Sequence, residues 1–229
     1  MSLKIKGWRK ITKWAIWSVL TVLFLVFLIR VATFEASYYA EKEGSERAVA
    51  EAVVEPEEEL IEVEPTVEEV REYTVAPDRP RYLTVEKLGI NKARILPMGV
   101  NVKGELATPN NIFDVGWYEA SGKPGQGGTM IIDGHNGGPH VLGVFKNLPN
   151  LVEGDIITVE RGDGVVYKYK VAENKSVLLS ESDAYMAVAA RSPEPGKESV
   201  TLISCTGEWS QQQKTYLSRQ FTRAVLVEE

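Results

Sequence analysis

Ser199-Val200-Thr201-Leu202-Ile203-Ser204-Cys205 is an uncharged run that ends in the only cysteine of the 229 residues. Aliphatic residues alternating with small hydroxylated ones suit a buried strand, and Thr206-Gly207 marks its opening into a loop. A side chain at such a junction is partly accessible yet rigidly held, and a reactive group needs both. A thiol there has two readings. It is either an inert buried residue, as most free cysteines are, or a nucleophile.

Working outward, Phe221 to Val227 reads as a final strand, with Arg219 at its start and Arg223 four residues on, sharing a face with Phe221. Before the cysteine run, Tyr82 to Leu88, Thr129 to Asp133 and Asp155 to Glu160 are strand-like. Arg161-Gly162-Asp163-Gly164 is a turn, and Val166 to Val171 alternates, with Tyr167, Tyr169 and Val171 on one face and Lys168 and Lys170 on the other, completing a hairpin. Only Val141 to Leu148 and Ser182 to Arg191 read as helices, the second with a capping box from Ser180 and Asp183. Many short, closely spaced strands imply a mainly β, closed or nearly closed structure. The stretch between Ser176 and Glu198 is a long connection, expected to form a wall of any binding groove.

The front of the chain is different. Lys4, Lys6, Arg9, Lys10 and Lys13 crowd residues 1–13, and residues 14–34 follow as an apolar run interrupted only by Arg30. That is about the 20 residues a helix needs to cross the bilayer, and longer than the apolar core of a cleaved signal peptide. Residues 35–77 are rich in Glu, Val and Pro; between Glu41 and Glu72 there are thirteen glutamates against Lys42, Arg47 and Arg71, a net charge of −10. Such a segment reads as an extended, solvated tether, with Glu43 to Val54 open to helix. Positive charge stays inside, so the expected arrangement is a single-pass plasma-membrane protein with a cytoplasmic N-terminus and an extracellular folded domain over residues 78–229. The folded part carries no basic stripe interleaved with aromatics, which speaks against nucleic acid as a partner.

Outside the membrane a single cysteine cannot form an internal disulfide, which sharpens interest in its chemistry. His135, one of two histidines, ends the run Ile131-Ile132-Asp133-Gly134 and precedes Asn136-Gly137-Gly138. A thiol, an imidazole and a guanidinium are the parts of a cysteine acyl-transfer site: the thiolate attacks a carbonyl, the imidazole moves protons, and the cation stabilises the oxyanion. His140 reads as an ordinary loop residue and Arg223 as a surface arginine. A metal site from Asp133, His135, His140 and Cys205 is disfavoured, because His-x4-His is not a usual zinc spacing; no metal and no cofactor is assigned.

At these residues the chain resembles the sortases, the membrane-anchored cysteine transpeptidases of bacterial surfaces. The family's Thr-Leu-x-Thr-Cys signature stands here as Thr201-Leu202-Ile203-Ser204-Cys205, its apolar-x-Gly-His motif as Ile131-Ile132-Asp133-Gly134-His135, and its late arginine as Arg219. Val144 to Leu148, Glu153-Gly154-Asp155, Gly116-Trp117-Tyr118 and Pro124-Gly125 also look like the family, and the likeness covers roughly residues 80–227. Ser204 departs from the usual threonine, which alters packing rather than chemistry. The texture is most similar to the shorter class D, E or F members. The resemblance implies a β-barrel of about eight strands with short helices. It implies Cys205, His135 and Arg219 as catalytic residues, with Ser204, Thr201 and Asn136 as substrate-binding ones. It implies cleavage of a Leu-Pro-x-Thr-Gly-like sorting signal through a thioester, and transfer to an amine on a peptidoglycan precursor or pilin. Two other readings stay open on the residues alone: a surface cysteine peptidase that uses water, and a non-enzymatic anchored β domain binding a wall polymer.

Overall fold

The computed structural model describes Arg30, residues 59–101 and residues 104–227. Its strands are β1 (Pro80–Val85), β2 (Ile90–Met98), β3 (Val115–Tyr118), β4 (Thr129–Gly134), β5 (Ile156–Arg161), β6 (Val166–Leu178), β7 (Ser199–Ser210) and β8 (Thr215–Leu226). They close into a barrel in the order β1-β2-β3-β4-β7-β8-β6-β5, with β5 bonded back to β1. β2–β3 and β4–β7 are parallel pairs, and the other neighbours are antiparallel. Helix α1 (Val67–Glu72) precedes β1, helix α2 (Leu179–Ala189) follows β6, and single 3-10 turns lie at Glu86–Leu88 and Leu148–Asn150.

Alternation along the strands divides the apolar residues into two sets. Leu83, Val85, Ile95, Val115, Trp117, Met130, Ile132, Ile157, Val159, Tyr169, Val171, Val200, Leu202 and Ala224 fill one core. Residues one step out of phase, Ile131, Val177, Ile203 and Phe221, form a second cluster with Ala189, Tyr185 and Met186 of α2 and with Leu106 and Tyr118. The outer face of β4, β7 and β8 is therefore covered too. That double coverage is why six consecutive positions, Ser199 to Ser204, are buried in β7.

The expected closed β structure is present, and several boundaries differ. β6 runs on to Leu178, β7 continues past Cys205 to Ser210, and β8 begins at Thr215 rather than at Arg219. Cys205 and Arg219 thus lie inside a long hairpin ladder, not at strand ends. Strands β2 and β3 had no counterpart among the expected strands. Val141 to Leu148 is not an α-helix: the chain there turns, with Gly143 N–H donating to the Asn136 carbonyl (2.9 Å) and Phe145 N–H to that of His135 (2.9 Å). Helix α2 begins earlier than expected, and its N-cap Leu178 makes no side-chain cap, so the Ser180–Asp183 box is absent.

The end of the acidic segment also departs from expectation. Rather than remaining a solvated spacer up to residue 77, it folds onto the barrel from Ile61. Ile61 N–H donates to the Asn110 carbonyl (2.9 Å), and Ile112 N–H donates to that of Ile61 (3.1 Å). A reciprocal capping box between Thr66 and Glu69 starts α1. Behind it the Tyr82 hydroxyl donates to the Val70 carbonyl, Tyr73 to Ile95 (2.5 Å) and Arg81 Nε to Tyr73 (2.8 Å). These are polar contacts to backbone carbonyls, which an apolar pattern does not announce. The expected span over residues 14–34, save Arg30, and the helix expected over Glu43 to Val54 lie outside the described residues. Among the described residues no helix is long and apolar enough to cross a membrane.

Candidate active site

Strand register assembles the site. In the β7–β8 ladder Cys205 is paired directly opposite Arg219. In the parallel β4–β7 ladder Ile131 is level with Thr201 and Asp133 with Ile203. One step further the Ser204 hydroxyl donates to the Gly134 carbonyl (2.8 Å). His135 is the next residue after Gly134, as Cys205 is after Ser204. Asp133, Cys205 and Arg219 fall two residues beyond Ile131, Ile203 and Phe221, on the same outer face of the barrel. The apolar cluster under α2 therefore leads along the sheet to the sulfur.

The glycine of the Ile131–His135 motif has a steric reason. A Cβ on Gly134 would lie 2.8 Å from the Phe145 ring, and Phe145 is fully buried there. The glycine lets Phe145 close under the strand while its own N–H holds the His135 carbonyl.

His135 is half-buried, and its Nε2 lies 2.9 Å from the Pro109 carbonyl oxygen. A carbonyl only accepts, so Nε2 carries the proton and Nδ1 is the nitrogen left to exchange one. Burial lowers the imidazole pKa, against the opposing pull of the Pro109 carbonyl. Cys205 is a free thiol, partly exposed. Burial raises its pKa, the Arg219 charge opposes that rise, and the Asp133 carboxylate adds to it. Arg219 turns along its own strand: Nη1 donates to the carbonyls of Tyr216 (3.0 Å) and Ser218 (3.1 Å), and Nη2 to the Thr215 hydroxyl (3.3 Å). Its Nε–H and the second Nη2 hydrogen are uncommitted among the described residues, which leaves donors for a developing oxyanion.

The three residues expected to bind substrate, Thr201, Ser204 and Asn136, differ in burial. Thr201 is fully buried, and its hydroxyl donates to the Ala189 carbonyl (2.7 Å), fastening the end of α2. Ser204 is also buried, and its hydroxyl ties β7 to Gly134. Both hydroxyls are buried and committed to backbone carbonyls, which gives them a structural part. Asn136 is on the rim, half-exposed, with its carbonyl held by Gly143.

Arg223 is not a surface residue either. It is buried and paired with Glu173, and its Nη2 donates to the carbonyls of Val188 (3.1 Å) and Arg191 (2.9 Å). It pins the C-terminal end of α2 and the loop after it. In register it stands opposite Thr201, four pairs from Cys205 along the ladder.

Asp133 is the neighbour whose place at the site sequence reasoning missed. Its Oδ2 accepts from the Thr108 hydroxyl (2.5 Å), and a Cβ on Gly116 would lie 2.6 Å from Oδ1, so only glycine fits there. Burial pushes the carboxyl up to about 7, against the Thr108 hydrogen bond, which favours the charged form. The folded protein therefore holds a proton on Asp133 that the unfolded chain releases near pH 4. The resulting stabilisation is complete in acid and is lost as pH rises through about 7. For a shift from 3.8 to about 7 this amounts to as much as about 4 kcal/mol. Asp133→Asn, neutral at every pH, is expected to melt roughly 5 °C or more above the parent at pH 8.5 and level with it at pH 4.5. Thermal scans at the two pH values check this; a melting difference that does not change with pH contradicts it.

The family model described as the sortase domain matches residues 83–227, from within β1 to just past β8. The chain is similar to a solved lid mutant of sortase A from Corynebacterium diphtheriae, at 22% identity and a TM-score of 0.49 over 69% of this chain and 74% of that one. It is similar also to a sortase D5 transpeptidase from Clostridium perfringens (21% identity, TM-score 0.47, 72% of this chain and 90% of that one). A third is the SrtA sortase from Actinomyces oris (21% identity, TM-score 0.48, 68% and 83%). No curated protein matches the chain. Since the family match takes in well over half of the residues, including the whole β4–β7–β8 face, this protein belongs to the sortase family of cysteine transpeptidases.

Proposed function

We propose that this sortase works at the outer face of the plasma membrane, held by an anchor over residues 14–34. In this reading it cleaves a Leu-Pro-x-Thr-Gly-like sorting signal of exported proteins and joins them to an amine on a peptidoglycan precursor or a pilin. The observation that carries the reading is the pairing of Cys205 with Arg219 across the β7–β8 ladder, beside β4, whose last residue Gly134 precedes His135.

The thiolate of Cys205 attacks the carbonyl before the scissile bond, and the negative charge moves to that oxygen, to which the uncommitted Arg219 N–H groups donate. Collapse expels the leaving amine, which takes its proton from Nδ1 of His135 and leaves a thioester on sulfur. The acceptor amine then gives a proton to Nδ1 as it attacks the thioester, and the thiolate departs. A raised thiol pKa and a lowered imidazole pKa make the neutral pair the major form at neutral pH. The reactive thiolate–imidazolium pair is the minor one. Helix α2 and the loop behind it, fastened by Thr201 and Arg223, serve as one wall of the peptide groove. Anchoring substrate, enzyme and lipid-linked acceptor in one membrane raises their effective concentration.

The test is a product analysis. Full-length protein incubated with a fluorescent Leu-Pro-x-Thr-Gly peptide and an oligoglycine or diamino-acid acceptor is expected to yield the new amide as the major product, identified by mass. Hydrolysis at the same rate with and without amine would instead identify a peptidase.

A further inference from the structure

The segment just before the sortase-matched range touches both ends of the histidine's support. Ile61 is bonded to Asn110 and Ile112, and the Asn111 side chain donates to the Val63 carbonyl (3.0 Å). That holds the loop whose Pro109 carbonyl receives His135 Nε2. Between Ile61 and Val63, Glu62 reaches the loop that follows His135. Its Oε1 accepts from the backbone N–H of His140 (2.8 Å) and of Val141 (3.0 Å). Gly138 lies directly beneath: a Cβ there would be 2.3 Å from the same oxygen. The loop then returns through Gly138 N–H to the Val141 carbonyl, Gly143 to Asn136, and Phe145 to His135 itself.

We propose that Glu62 is a positioning residue for His135, so that the segment entering the barrel from the membrane side is part of the catalytic apparatus. The carboxylate gathers two N–H groups of an otherwise glycine-rich turn that would be free to open. By closing that turn it fixes the backbone of His135, while residues 110–112, which the same segment holds, fix its ring through Pro109. The imidazole is thus held from both sides by one stretch of chain. Reaction rates respond steeply to such placement: about 1 Å of misalignment can cost 10²-fold. Glu62 touches no reacting atom. Its effect falls on proton transfer rather than on peptide binding.

The inference rests on His135 as the proton carrier, so the experiment includes a readout that needs no turnover. In full-length protein, Glu62→Ala is expected to lower kcat by roughly 10- to 10²-fold with KM for the peptide within twofold. Glu62→Gln, whose amide oxygen still accepts both N–H groups, is expected to keep at least a third of the parent rate. Gly138→Ala, which drives a methyl group into the Glu62 carboxylate, should reproduce the alanine variant from the other side. NMR titration of the two imidazoles, told apart with His140→Gln, should show the His135 midpoint move toward the ordinary histidine value in Glu62→Ala and stay put in Glu62→Gln. Hydrogen exchange at residues 137–145 should quicken only in Glu62→Ala and Gly138→Ala. Unchanged kcat and His135 midpoint in Glu62→Ala would overturn the proposal, as would a loss expressed only as lower melting temperature with the midpoint fixed. If the parent itself forms no amide product while Glu62→Ala still shifts the midpoint, the positioning role stands and the transpeptidase reading falls.

Discussion

Cys205→Ala is expected to remove acyl transfer altogether, with turnover falling by more than about 10⁴-fold. The reason is the absence of a substitute. Cys205 is the only cysteine in the chain. The neighbouring hydroxyl, Ser204, is buried and already donates to the Gly134 carbonyl, so it can neither reach a peptide nor shed its proton to His135. Arg219 alone polarises a carbonyl but attacks nothing. In mass spectra of the protein quenched with peptide, the parent should carry the acyl adduct and the variant only its own mass. The change should leave folding intact, because the thiol is partly exposed and removal of one sulfur opens little cavity. A melting temperature within about 2 °C of the parent would confirm that lost activity reflects lost chemistry. Amide product at more than a tenth of the parent rate would mean that another group carries the acyl chain.

How much of this was legible beforehand depends on what kind of contact each element makes. The β4, β7 and β8 face was readable because its strands are apolar on both sides: Ile131, Ile132, Val200, Leu202, Ile203 and Phe221 form near-continuous runs. With those strands placed, Cys205 and Arg219 follow as neighbours. The hairpin beyond them was not readable. From Thr206 to Ser218 the residues are largely polar, and the ladder is completed by backbone bonding and by Trp209 packed edge-on against Tyr216, with ring centroids 5.2 Å apart. Strand β2 was obscured by Lys92, Arg94 and Pro97, exposed or half-buried on a strand whose burial does not alternate cleanly. Strand β3 spans only four residues. In the loop after His135, Val141, Val144, Phe145 and Leu148 have helical spacing, yet Phe145 and Leu148 are drawn into the core by the turn that Gly143 permits. Arg223 reads as a surface cation until its partner Glu173, fifty residues earlier, is placed beside it by the β6–β8 register. Glu62 could not be found at all from pattern, since it sits in a run of glutamates and differs from them only by where the chain leads it.

Of the remaining changes, His135→Ala has the largest expected effect, a loss of roughly 10²–10⁴-fold in kcat, the range for a positioned acid–base group. Its more telling consequence is the shape of the pH profile. In the parent, activity follows the product of thiolate and imidazolium populations. Burial lowers the imidazole pKa and raises the thiol pKa, so the two limbs are spread apart. Below the imidazole pKa the thiolate falls tenfold per pH unit while imidazolium is already complete. Between the two values one rises as the other declines, giving a plateau. Above the thiol pKa only the imidazolium is lost. The parent is therefore expected to show a broad bell in kcat/KM. His135→Ala leaves nothing to deprotonate on the alkaline side. Its residual activity should climb with the thiolate and level off above the thiol pKa without descending. The rate of Cys205 alkylation by a small reagent should trace the same single ascending limb, at a midpoint set by burial, Arg219 and Asp133 alone. A bell that survives in His135→Ala would show that the proton comes from some other group, and His135 would then have to be read as a structural residue held by Pro109.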